Sequence, residues 1–151
     1  MALKLSTGMR NKLLDTNSLR SILNLGFLKI YSTSAGIPTA ADDALVGGTH
    51  TLLVTISVSS GGTGLTFAAT AASGAISKNG GETWSGTIAQ TGTAAFYRFV
   101  ASTDTGAAST SEPRVQGEVG TAGKELNLVS VSLTATNTLT IDNFSIGIPT
   151  L

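Results

Sequence analysis

Residues 50–59, HTLLVTISVS, alternate apolar and polar side chains with a period of two. Leu52, Val54, Ile56 and Val58 fall on one side of an extended chain, and Thr51, Thr55 and Ser57 largely on the other. Successive side chains of a strand point to opposite faces, so this pattern predicts a half-buried antiparallel β-strand. The same reading extends over the chain beyond Gly26. FLKIYS (27–32), GLTFAAT (64–70), GAIS (74–77), ETWSGTIAQ (82–90), AAFYRFVAS (94–102), EPRVQGEV (112–119), ELNLVSVSLTA (125–135) and TLTIDNFSIGI (138–148) are short segments separated by turn-forming residues. The turn around Thr91-Gly92-Thr93 predicts a hairpin between the segments that flank it, and a turn near Thr136-Asn137 joins the last two. In each of those last two the apolar parity slips midway. Leu126 and Leu128 give way to Val129, Val131 and Leu133, and Leu139 and Ile141 give way to Phe144, Ile146 and Ile148. A β-bulge in each strand accounts for the slip and bends the sheet. The expected fold is mainly β: an antiparallel two-sheet β-sandwich, jelly-roll-like, over residues 26–151, with a partly open barrel as the alternative.

Residues 1–25 are the one helical stretch and form a separate N-terminal arm in this reading. Ser6 or Thr7 can cap a segment carrying Met9, Leu13 and Leu14, and Ser18 can cap a second one carrying Leu19, Ile22, Leu23 and Leu25, ended by Gly26. Two short helices and one kinked helix fit equally. The first thirty residues are basic: Lys4, Arg10, Lys12, Arg20 and Lys29 lie there against Asp15 alone.

Charged residues make up 12% of the chain, against about 25% in ordinary soluble domains. Ser, Thr, Gly and Ala take their place, and such a surface loses little solvation when it packs on another protein. Assembly is therefore the first expectation. A net charge of zero argues against nucleic acid as a partner, since neutralising phosphates requires surplus Lys and Arg. With no cysteine there is neither a disulfide framework nor a thiolate metal site. No apolar run approaches the length of a membrane span or of a signal-peptide core, so synthesis in the cytoplasm without membrane insertion is expected.

Several short stretches invite a catalytic or ligand-binding reading. Asp104-Thr105-Gly106-Ala107 matches the aspartic-protease tetrapeptide. Ala101, Ser102 and Thr103 separate it from the preceding apolar run, and two such Asp residues would have to share a proton across a dyad. The segment reads instead as a turn, and Asp104→Asn is expected to be silent. His50, the single histidine, has no carboxylate in local register to orient it as a base. GEVGTAGKE (117–125) misses phosphate-loop spacing by one residue and carries Glu125 where a hydroxyl belongs. Asp42 and Asp43 lack the spacing of a Ca²⁺ loop, and Trp84, Tyr97 and Phe96 read as core rather than as a sugar platform. No catalytic residue, cofactor or metal site is expected.

LKLSTGMRNKLL, FLKIYS followed by PTAADDAL, GLTFAATAASGAISKNGGETWSG, AAFYRFVAS with Phe96, Tyr97, Arg98 and Phe99, and SEPRVQGEVGTAGKELNL together resemble a group of small structural proteins of tailed bacteriophages. The resemblance spans nearly the whole chain. One departure is the loop STSAGIPTA, longer than the short Ser-Gly-x-x-Pro turn of that group. The resemblance implies a virion component, with capsid cement or decoration as the leading role and a tail, connector or fibre-associated role, including host recognition, as the alternative. The implied partners are further copies of the chain and the major capsid protein, or tail proteins in the alternative. The first expected contact is the helical arm, through Arg10, Lys12, Leu13, Leu14 and Arg20, and exposed sheet edges, through strand addition, are the second.

Overall fold

The computed structural model describes residues 2–15 and 17–148, so the last three residues of the expected β domain lie outside it. The elements in chain order are β1 (Lys4–Leu5), α1 (Thr7–Leu14), α2 (Leu19–Leu23), β2 (Phe27–Thr33), β3 (His50–Val58), β4 (Ala75–Ser77), β5 (Trp84–Thr87), β6 (Gly92–Thr93), β7 (Phe96–Val100), β8 (Arg114–Gly120), β9 (Leu126–Asn127), β10 (Ser132–Leu133), β11 (Thr138–Ile141) and β12 (Ser145–Gly147). The fold is mainly β, with antiparallel sheets and two short helices. One eight-stranded sheet runs β1-β8-β7-β2-β3-β5-β11 with β9 beside β8, and β10–β6 and β12–β4 form two-stranded ladders. Among the described residues β8–β9 is the parallel exception.

The alternation at 50–59 forms the expected strand but is interrupted. Ile30 pairs with Val54 and Tyr31 with Leu52, so Leu53 is an extra residue, a bulge. Leu53 and Val54 are consequently both buried, and Leu52 is only half-buried. The bulges expected in the last two segments are absent; the chain leaves one sheet for another at each slip. β9 pairs with β8 but β10 with β6, and β11 pairs with β5 but β12 with β4. Nor do 82–90 and 94–102 form a hairpin. β5 lies between β3 and β11, whereas β7 lies between β2 and β8. The intervening residues hold other partners: the Ala89 N–H donates to Leu53 O, and the Ala95 N–H to Tyr31 O.

Phe67, Trp84, Phe99 and Phe144 meet in one cluster, with ring centroids 5.2–6.4 Å apart. Trp84 and Phe99 stand on strands three places apart, about 14 Å in a flat sheet at ~4.8 Å per strand. Their rings meet at 6.0 Å above the strands between them. The indole N–H donates to Glu82, whose carboxylate also accepts from the Thr66 N–H and hydroxyl. Burial works against ionisation of Glu82, and these three donors outweigh it, holding the carboxyl below its usual range.

The helices dock onto this core. Met9 and Leu23 are fully buried, and Leu13, Leu19 and Ile22 pack against the cluster, while Leu25 lies beyond α2, exposed and at φ 60°. Ser6 fixes the entry of α1. Its hydroxyl accepts the Met9 N–H as an N-cap, accepts the Arg114 N–H, and donates to Glu112 O. Gly8 lies so close to the 109–112 loop that a Cβ there would stand 2.2 Å from Ser111 O. Ser6→Ala removes the cap and strands a buried backbone N–H, so a loss of about 1–3 kcal/mol is expected in urea denaturation.

Candidate functional site

Opposite the aromatic cluster, the central sheet carries a polar row. Lys4 pairs with Gln116, Gln116 with Arg98, Arg98 with Lys29, and Lys29 with Thr55, placing five polar residues side by side across five strands. One residue along, Val100 pairs with Arg114. Polar residues at 114, 116 and 118 of one strand ordinarily mark a solvent-facing side. Here Arg98, Arg114 and Gln116 are 0–1% exposed, because the segments at 34–49 and 101–112 cover them.

Side-chain donors hold the cover in place. Gln116 Nε2 donates to Pro38 O (2.8 Å), Lys4 Nζ to Thr39 O (2.6 Å), Arg98 Nη2 to Ala40 O (3.4 Å) and Arg114 Nη1 to Ala41 O (3.3 Å). Four consecutive main-chain carbonyls are thus taken by side chains from three strands. Arg98 Nε donates to Gln116 Oε1 at 2.8 Å. Arg114 grips Asp104 with two bonds, Nε to Oδ2 at 2.5 Å and Nη2 to Oδ1 at 2.9 Å, and Nη2 also reaches Ala107 O. The Gly106 N–H donates to Asp104 Oδ1.

Burial dominates the electrostatics. It disfavours ionisation of Asp104, yet the Arg114 guanidinium and the Gly106 N–H outweigh it and hold the carboxyl below its usual range. Burial, with repulsion from Arg114, pushes the Arg98 guanidinium down to about 10. The Tyr31 phenol is pushed up to about 12 by burial, so it remains a hydrogen-bond donor. A cavity of about 220 Å³ opens between this face and the loops, lined by Lys29, Tyr31, Leu45, Leu52, Arg98 and Asp104 among others.

Each residue singled out in the sequence has a definite place. Both oxygens of Asp104 are engaged by Arg114, and a pair of this kind replaces the expectation that Asp104→Asn is silent. His50 fastens the cover: Nδ1 accepts the Val46 N–H and Nε2 lies 3.2 Å from Gly36 O. Asp42 accepts the Thr7 N–H and hydroxyl at the start of α1, and Asp43 accepts from Ala40 N and the Thr39 hydroxyl. In 117–125, Lys124 pairs with Glu118 and Glu125 accepts the Glu118 N–H. A Cβ at Gly117 would stand 2.7 Å from the Tyr97 ring, so that glycine serves packing. Trp84, Tyr97 and Phe96 are buried.

On the helices, Arg10 and Lys12 are exposed, Leu13 is half-buried and Leu14 is 87% exposed. Arg10 and Leu14, four residues apart, share one face of α1. Arg20 stands apart on α2 and donates to Ala69 O at 2.7 Å. Reading the sequence missed the row built on Lys29, Arg98, Arg114 and Gln116. Its signal was present as an arginine inside the aromatic strand FYRFV and as the period-two polar residues of RVQGEV. No family model matches the chain, and neither a curated protein nor a solved structure matches it. Among the described residues, no helix is long and apolar enough to cross a membrane.

Proposed function

We propose that this chain is a structural protein of a tailed-bacteriophage virion that cements or decorates the capsid by binding copies of itself and the major capsid protein. The resemblance of its extended segments to that group motivates the reading. The observation that carries it is the scarcity of surface charge. Charged residues make up 12% of the chain, and three of them, Arg98, Arg114 and Asp104, are buried, so few charges remain to be desolvated on the surface. Such a surface can dock with little desolvation, and many weak copies on a lattice gain by avidity what each contact lacks. In this reading the sheet and its two-stranded ladders act as a rigid β-sandwich, and α1 offers Arg10 and Leu14 outward beside Lys12 and Leu13, with Arg20 apart on α2.

Immunogold labelling of intact particles, with quantitation of copies per particle, tests the proposal. Gold over the heads and a copy number near that of the capsid subunit is the expected result. Gold confined to neck or tail, with copies in small multiples, would move the protein to the alternative tail or connector role. Absence from disrupted particles would remove it from the virion. Arg10→Glu with Leu14→Glu is expected to abolish attachment in a particle-binding assay. Stability should change by no more than about 0.5 kcal/mol per exposed site.

A further inference from the structure

Arg98 Nη1 is the one buried side-chain nitrogen or oxygen among the described residues with no hydrogen-bond partner. An orphan donor on a guanidinium is costly, and native proteins keep few of them. Arg98 also lines the cavity under the loops, and its strand partner Lys29, half-exposed on the same wall, makes no hydrogen bond or ion pair there. Tyr31 lines it too, and its hydroxyl has no hydrogen-bond partner among the described residues. The nearest carboxylate, Asp104, is already matched by the two bonds from Arg114. Two cations and a phenol therefore border one cavity whose one carboxylate, Asp104, has both oxygens bonded to Arg114.

We propose that this cavity binds a carboxylate carried on a short apolar stem. The charged end lies among Lys29, Arg98 and Tyr31, and the stem lies against Leu45, Leu52 and Val100, which complete much of the wall. Asp104 stands in the same wall, so a single negative charge is accommodated where a doubly charged phosphate is repelled. The carboxylate arrives either as a free short-chain acid or as an acidic side chain of a second copy of the chain. The site follows from this geometry alone and holds whatever the particle assignment proves to be.

Butyrate is the probe, with neutral butanamide and inorganic phosphate at matched ionic strength as controls, read by titration calorimetry on the full chain. Saturable butyrate binding is expected, with no response to the amide and weaker binding of phosphate. Lys29→Ala is partly exposed and removes no hydrogen bond, so it folds. It should weaken butyrate about tenfold or more, the equivalent of one charge-assisted hydrogen bond, and Lys29→Arg should restore it. No saturable binding, equal binding by Lys29→Ala, or phosphate binding as tight as butyrate would overturn the proposal. Given binding, sedimentation with and without butyrate separates the sources. Dissociation of self-associated protein identifies a neighbouring copy's acidic side chain, and unchanged association identifies a free acid.

Discussion

Asp104→Ala is expected to destabilise the fold by about 3–5 kcal/mol, the usual consequence of leaving one member of a buried ion pair alone. Arg114 is 1% exposed and has no other carboxylate among its hydrogen-bond partners, so its charge would stay buried and uncompensated. Asp104→Asn should lose somewhat less, because the amide oxygen can still accept one bond. The double change Asp104→Leu with Arg114→Met should be milder than Asp104→Ala alone, since it removes both charges together. The effect also has a pH signature. The Asp104 carboxyl is held low in the folded chain, so its stabilisation is complete above the unfolded value of about 3.9 and is lost as pH falls through the folded value. The gap between wild type and Asp104→Ala in denaturant titrations should therefore narrow in acid. A constant gap at every pH would show that the carboxylate's charge contributes nothing.

Deleting residues 2–25 is expected to abolish cooperative unfolding. The segment supplies Met9 and Leu23, both fully buried, and truncating either to alanine should cost about 2–5 kcal/mol. It also supplies β1, which pairs with β8, and Ser6, which satisfies the Arg114 N–H. Together these losses rival the whole stability of an ordinary domain, about 5–15 kcal/mol. Near-ultraviolet circular dichroism and a thermal melt decide the matter. A deletion product that melts with the wild-type midpoint would show the helices to be a detachable arm. Met9→Ala and Leu23→Ala supply graded controls in the full-length chain.

What could be read from the sequence follows the range of the interactions involved. The strands at 27–33, 50–58, 96–100 and 114–120 and the Ser18 cap follow from local periodicity and hydrogen-bonding chemistry. Pairing leaves no such trace. Ser85 and Gly86 read as part of a hairpin, yet their backbones pair with Thr140 and Leu139, more than fifty residues away. The slips after Leu128 and Ile141 were visible, but a local kink and a change of sheet produce the same pattern. Leu52-Leu53 hid its bulge because both residues are apolar and either parity satisfies a core. The polar row was hidden for a different reason: period-two polarity signals a second face, and only the loops determine whether that face is wet or dry.

The four carbonyls of residues 38–41 have one more consequence. Every amino acid brings a carbonyl, so the anchoring of this cover depends on chain trace rather than on side-chain identity. Pro38 and Ala41 are confined by burial, but Ala35 and Ala44 project into solvent and have no part in those four bonds or in the His50 contacts. Substitution or lengthening at these tips leaves the mounting undisturbed. The same scaffold can thus exchange its outermost surface, and with it what that surface meets, without re-engineering the sheet beneath.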